Sequence, residues 1–266
     1  FDNALEQLTL DCNDVAGLGG VVADAWQEGG GLRKVLIEKF RTIGVHIRNG
    51  FGGASTCLVE GAEIMGSGVA PAIAGIKVST VSAAGNFMLH VTNSTITGDT
   101  GMPMARGIDI ANDSLYCHVV HFEEVRTGIY LDGVGHHVLI GVTGAQTARG
   151  VATVENLVEI APTFSGSLTM RGCFRGGATY LLNDNRRGGF GAIPYDTDIT
   201  IRSEPELAPG AIVASASING IGTPVVSKGF GVASVVRNGK GDYSVALTRS
   251  AQGPNDFTVF ASTNMG

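Results

Sequence analysis

One phrase recurs along this chain: a glycine followed by alternating apolar and polar residues. It appears as Gly44-Val45-His46-Ile47, Gly75-Ile76-Lys77-Val78, Gly107-Ile108-Asp109-Ile110 and Gly128-Ile129-Tyr130-Leu131. It continues as Gly150-Val151-Ala152-Thr153 and Gly177-Ala178-Thr179-Tyr180. Alternation with period two is the pattern of a strand with one buried face. Successive glycines lie 31, 32, 21, 22 and 27 residues apart. A degenerate repeat of that length, built from short strands, is the signature of a solenoid, and the expected fold is an all-β solenoid.

A second strand phrase precedes each glycine. These are Leu8 to Cys12, Val35 to Glu38, Cys57 to Glu60, Met88 to Val91, Cys117 to Val120, Val138 to Gly141, Leu168 to Arg171 and Ile199 to Arg202. Each coil therefore reads as strand, bend, strand and return loop. The spacing of Val59, Ile64 and Gly66 is repeated by Val91, Ile96 and Gly98. About eight coils stacked at the spacing of hydrogen-bonded strands would reach roughly 40 Å. Val45, Ile76, Ile108, Ile129 and Val151 are expected to form an internal ladder. A helical period occurs only around Val21 to Gln27, where a short helix or a turn fits. Longer loops are expected at Val81 to Asn86, Thr97 to Ala105, Ala161 to Gly166 and Asn183 to Asp198; such loops carry binding residues, cover the solenoid or meet a neighbouring subunit.

Composition agrees with many short strands joined by tight bends. Among 266 residues there are 40 glycines, only 16% are charged, and mean hydropathy is +0.21. The formal net charge is −6 and no basic run exists, which argues against nucleic acid as a partner. No apolar run is long enough for a membrane-spanning helix, and no signal peptide is visible, so membrane insertion is not expected. The chain opens with Phe1 rather than Met, and the expectation is that an N-terminal part has been removed. Cys12, Cys57, Cys117 and Cys173 lack metal-ligand spacing and fall in expected strands, so they are read as reduced core thiols. No metal or cofactor is expected.

After Pro209 the pattern changes. Gly231 to Arg237 alternates, Asn238-Gly239-Lys240-Gly241 offers a turn, Tyr243 to Leu247 alternates back, and Phe257 to Phe260 supplies a third strand. The domain reading is a β-helix over 1–208 and a small antiparallel β-module over 209–266. The stretch VASVVRNGKGDYSVAL at 232–247 resembles the C-terminal β-module of bacteriophage tail fibres and tailspikes. The stretch LTLDCNDVAGLGGVV at 8–22 is similar to the first coil of pectate-lyase-like right-handed parallel β-helices. The resemblance implies a right-handed parallel β-helix, a homotrimer held by its C-terminal module, and assembly in a host cytoplasm into a virion that acts outside the cell. It also implies attachment to other virion proteins through a missing N-terminal region, and recognition of bacterial surface polysaccharide, in some relatives with cleavage.

If the glycine phrases stack in register, His46, Lys77, Asp109 and Tyr130 line up on the outer face. Arg48, Ser79, Ala111 and Asp132 follow two residues on. Cations, carboxylates and an aromatic ring together suit sugar hydroxyls and sugar faces. Asp109 and Asp132 would be diagonal neighbours about 7–8 Å apart, a separation compatible with inverting glycoside hydrolysis. They are the candidate catalytic pair, with Glu123 and Glu124 as substitutes. His46, Arg48 and Lys77 are candidates for a lyase. The competing reading is a solvated outer face that serves solubility alone. Arg171, Arg175, Arg186 and Arg187 form the local basic concentration, where an acidic glycan or a subunit contact would fit. His136-His137 reads as a bend, and Glu155 and Glu159 as the edge of a solvated strand. Three functions remain open: a tailspike-like polysaccharide recognition protein, a polysaccharide-cleaving enzyme of tailspike or secreted pectate-lyase type, and a structural head-decoration or spike trimer.

Overall fold

The structure, a computed structural model, describes residues 4–17, 19–24, 30–49, 55–80, 87–99, 101–145, 154–186, 189–201, 215–219, 225–230, 232–239 and 242–247. They divide between two compact units, Phe1–Pro205 and Glu206–Gly266. The described residues contain strands and no α-helix.

The first unit is a parallel β-helix with three faces. Its first rung is β1 (Ala4–Glu6), β2 (Thr9–Asp11) and β3 (Val21–Asp24), and its second is β4 (Gly30–Arg33), β5 (Leu36–Phe40) and β6 (Ile43–Asn49). The third is β7 (Ser55–Glu60), β8 (Glu63–Gly66) and β9 (Ala74–Thr80). In the fourth and fifth, one long strand runs over faces one and two: β10 (Phe87–Thr97) with β11 (Met104–Ala111), then β12 (Ser114–Glu123) with β13 (Val125–Asp132). The sixth is β14 (His136–Ile140), β15 (Thr143–Ala145) and β16 (Asn156–Ile160). The seventh is β17 (Ser167–Arg171) and β18 (Tyr180–Asp184), with Phe174 bridging to Thr143 on face two. Every rung-to-rung pairing is parallel, and seven rungs at strand spacing span roughly 30 Å.

This corrects the sequence reading in three respects. Each coil has three strands rather than two, because face two is a separate strand or the second half of a long one. Among the described residues there are seven rungs rather than eight. Val21–Asp24 is a strand, although its apolar spacing also fits a helix, since pairing with Val45 to Arg48 decides its conformation.

Apolar side chains stack in ladders inside the coils. Face three stacks Val21, Val45, Ile76, Ile108, Ile129, Val158 and Leu182. Face one stacks Leu5, Leu32, Val59, Val91, Cys117, Leu139 and Met170. Face two stacks Leu10, Ile37, Ile64, Ile96 and Phe122. Each fully buried member contributes on the order of 1.5–3 kcal/mol. The echo between Val59-Ile64 and Val91-Ile96 is this register. All four cysteines are buried free thiols.

The recurrent glycines have a packing cause. A Cβ at Gly44 would lie 2.8 Å from Ile64 Cγ2, and one at Gly75 2.5 Å from Ile96 Cγ2. At Gly107 a Cβ would collide with the Phe122 ring. Small residues on face three thus make room for large ones on face two of the next rung. Rung six reverses the arrangement. Gly144 occupies the face-two position above Phe122, and Leu157 fills the space from face three, 3.5 Å from where a Gly144 Cβ would be. The ladder position above Ile129 accordingly belongs to Val158, not Val151, and Gly150 to Thr153 lie outside the described residues. In rung seven the strand begins at Tyr180, so the ladder residue is Leu182 rather than Ala178.

Between faces one and two the chain turns at one left-handed residue in every rung: Gln7, Lys34, Gly61, Asn93, Val119, Gly141 and Gly172, with φ from 48° to 59°. The turn lets the corner amide reach the next rung, as Lys34 N does to Glu60 O at 2.8 Å and Gly61 N to Thr92 O at 3.0 Å. The far end of the coil is closed. Strand β19 (Gly191–Ile193) folds back antiparallel on β18, and β20 (Ile199–Ile201) antiparallel on β17. Antiparallel strands cannot continue the winding, so they terminate the stack.

The second unit contains two antiparallel pairs, β21 (Ser215–Asn219) with β22 (Val225–Phe230), and β23 (Val232–Gly239) with β24 (Asp242–Leu247). The second is the hairpin expected around Asn238-Gly239. Phe257 to Phe260 and Val81 to Asn86 lie outside the described residues.

Candidate functional site

The outer side of face three carries a straight row of polar residues. Backbone register pairs His46 with Lys77, Lys77 with Asp109, Asp109 with Tyr130, Tyr130 with Glu159 and Glu159 with Asn183. The four residues expected to align do so, one per rung, and two more extend the row. In the parallel row, Arg48 pairs with Ser79, and Ala111 with Asp132. Asp109 and Asp132 are therefore diagonal neighbours on adjacent rungs.

Side chains join the rungs. Asp109 is almost fully buried, and its Oδ2 receives Arg106 Nη1 at 2.9 Å and Lys77 Nζ at 3.6 Å. Arg106 also lies over the Tyr130 ring, with its guanidinium carbon 3.5 Å from the ring centre. Burial raises the Tyr130 phenol above its usual range, with Arg106 pulling the other way. Thr127 Oγ1 donates to Glu159 Oε2 at 2.9 Å, and Asn185 Nδ2 donates to Glu159 Oε1 at 3.2 Å. His46 Nε2 and Ser79 Oγ are 3.0 Å apart. Lys77, Asp109, Arg106 and Tyr130 form one linked group across rungs three to five, and Thr127, Glu159 and Asn185 form another across rungs five to seven.

The candidate catalytic pair is engaged elsewhere. Asp109 is held by two cations. Asp132 Oδ1 accepts the Gly133 amide at 2.6 Å and the Thr163 hydroxyl, so it stitches the turn after β13 to the loop before β17. Of the substitutes, Glu123 Oε1 meets His121 Nε2 at 3.1 Å, and Glu124 is buried with neither carboxylate oxygen hydrogen-bonded. The described residues contain no cluster of metal-ligating side chains.

Arg186 turns inward at the closed end of the coil. Its Nε and Nη2 bind Asp184 Oδ1 and Oδ2 at 2.9 and 2.8 Å, while the Phe190 amide donates to Oδ2 at 3.0 Å. Asp184 stands where face three would carry another apolar ladder residue above Ile160. Burial pushes its carboxyl up, but the bonds from Arg186 and Phe190 outweigh this and hold it below the usual range. Arg175 Nη1 donates to the carbonyls of Ala178 and Thr179. Arg187 lies outside the described residues.

His136 and His137 form the start of β14 rather than a bend. His136 faces out, 2.8 Å from Ser167 Oγ, while His137 takes an inner ladder position between Leu115 and Leu168. Sequence reading missed Glu159 as a member of the row, and Arg106 and Thr127 as the residues beside it that bind Asp109 and Glu159. Arg106 and Thr127 each stand one residue before a repeat glycine, where a position periodicity alone leaves unassigned turns outward. A cavity of about 510 Å³ lies away from this row, lined by Glu6, Gln7, Arg33, Lys34, Glu60, Gly61 and Asn93 at the corner between faces one and two. Compared with known protein families, with curated proteins and with solved structures, the chain matches none.

Proposed function

We propose that this chain is a tailspike-like recognition protein of a bacteriophage particle, and that it binds bacterial surface polysaccharide along the outer row of face three. The observation that carries the reading is the row itself: His46, Lys77, Asp109, Tyr130, Glu159 and Asn183 on consecutive rungs. A flat, regularly spaced array of charges around one aromatic ring presents hydrogen bonds to an extended chain of sugars, and Lys77 and Arg106 suit an acidic one. Buried free thiols accord with assembly in a reducing cytoplasm before action outside the cell. A homotrimer joined to other virion proteins completes the reading.

Binding without cleavage is favoured over hydrolysis. Inverting hydrolysis needs one carboxyl protonated and the other free to activate water. Here Asp109 is paired with two cations and Asp132 caps a turn. The test is titration of purified acidic capsule or O-antigen, with reducing-end and 235 nm absorbance followed in parallel. Lys77→Ala should weaken binding at least tenfold without either cleavage signal appearing in the parent protein. Unchanged affinity in Lys77→Ala and Tyr130→Ala would remove the row from the reading. A cleavage signal would revive the enzyme, and no glycan binding at all would leave the structural decoration role. Molecular mass in solution tests the trimer.

A further inference from the structure

Face two carries a side-chain relay of its own, apart from the row on face three. Its outer file runs Glu63, Thr95, His121, Thr143 and Phe174 on rungs three to seven. His121 Nδ1 lies 2.7 Å from Thr143 Oγ1 on the next rung. On its other side, His121 Nε2 lies 3.1 Å from Oε1 of Glu123, two residues along β12. A carboxylate only accepts hydrogen bonds, so Nε2 carries the hydrogen of the neutral ring, and Nδ1 is left to accept the Thr143 hydroxyl. Thr143 is partly buried, and the His121 and Glu123 side chains are 37% and 43% exposed, so a solute reaches them.

Hydroxyl, imidazole and carboxylate in that order are the parts of an activated nucleophile: a base within hydrogen-bond reach, itself oriented by a third group. The amide that follows Thr143 is spent on the sheet, with Gly144 N donating to Phe174 O at 3.2 Å. The relay therefore acts by general-base catalysis, worth about 10²–10⁴-fold, without that amide to hold an oxyanion. Such a gain suits an ester whose alcohol leaves readily. Phe174, bridged to Thr143 on the next rung and 55% exposed, offers a ring face to an aryl group.

We propose that Thr143, His121 and Glu123 form an ester-cleaving site on face two, for aryl and similarly activated esters. Thr143 Oγ1 bonds to the acyl carbon, and its proton passes to His121 Nδ1. The bond from the acyl carbon to the alcohol oxygen then breaks, and the alcohol leaves with that proton. Water attacks the acyl-threonine and gives a proton to Nδ1, which returns it to Thr143 Oγ1 as the carboxylic acid departs. Thr143 and His121 are the catalytic residues, and Glu123 is a positioning residue that holds the ring. Glycosidic bonds are untouched, and the site does not depend on the glycan reading.

The probe is 4-nitrophenyl acetate, added to the full chain. A burst of nitrophenolate is expected, and peptide mass mapping after acid quenching should find the acetyl group on Thr143. Thr143→Val keeps the side-chain shape and should lower the rate at least about tenfold, whereas Thr143→Ser should retain it. Glu123→Gln should lower the rate by a similar factor and Glu123→Asp should restore part of it, a rescue that a merely structural role would not give. Melting curves check that each variant folds, and the mapping decides on the unaltered protein even where one does not. Hydrolysis by Thr143→Val at the parent rate overturns the proposal, because the exposed imidazole would then be acting alone. So does an acetyl group found elsewhere but not on Thr143, or no hydrolysis above that of buffer.

Discussion

The guanidinium of Arg106 lies 3.5 Å from the centre of the Tyr130 ring, and the same guanidinium holds Asp109 Oδ2 at 2.9 Å. One cation thus ties an aromatic ring on the fifth rung to a carboxylate on the fourth. A half-exposed cation–π contact is worth about 0.5–2 kcal/mol. Tyr130→Phe should keep it and Tyr130→Leu should lose it. The difference in urea-unfolding free energy between the two variants should shrink when Arg106 is also changed to Gln. An additive double-mutant cycle would show that the contact contributes nothing.

Asp109 is the shared acceptor for Lys77 and Arg106, and it is nearly buried while both cations are about one-third exposed. Asp109→Asn keeps the shape and removes the charge. Stability should fall by about 1–3 kcal/mol at low salt, the range for hydrogen bonds to charged groups. The loss should narrow as salt rises, because the exposed cations are screened. Denaturant melts at two ionic strengths measure both effects.

Val119 occupies a corner position with φ 55° and is half exposed. The same corner is held by Asn93 one rung before and by Gly141 one rung after, residues that tolerate the left-handed region. A β-branched residue there is strained, and its exposed side chain returns little burial. Val119→Asn should therefore stabilise the protein by about 1 kcal/mol. The converse change, Gly61→Val at the equivalent corner, should destabilise it by a similar amount. Thermal melts of the two variants should move in opposite directions.

His137 stands in the face-one core between Leu115 and Leu168, 5.5 Å from the Phe164 ring, with neither ring nitrogen hydrogen-bonded. Burial pushes its pKa down to about 3, and neighbouring His136 adds to the shift. The unfolded chain binds this proton near pH 6.5 and the folded chain does not, so the histidine costs stability as pH falls from about 6.5 toward 3. Above that window it has no pH-dependent effect. His137→Leu should leave stability at pH 7.5 unchanged or higher, and it should flatten the decline between pH 6.5 and 4. Urea midpoints at several pH values test this; parallel profiles for parent and variant would exclude His137 as a source of the decline.

Much of the row on face three was legible before any coordinates. A strand pleat has period two, so each glycine phrase assigns its own inward and outward residues. Stacking phrases by their glycines then aligned His46, Lys77, Asp109 and Tyr130, and with them the inner ladder from Val45 to Ile129. The alignment failed at Gly150 for a reason of volume. Phe122 forces glycine onto face three below it, whereas Gly144 releases that demand and lets Leu157 fill the space.

Local alternation and small residues at fixed offsets sufficed to specify strands, their buried sides and the habit of winding, because these depend on neighbours along the chain. The third face, the left-handed corner at Val119, the inward turn of His137 and the reach of Arg106 to Tyr130 came only with the folded coil. Each depends on residues roughly twenty to thirty positions away that become neighbours when one turn of backbone settles on the next at about 4.8 Å.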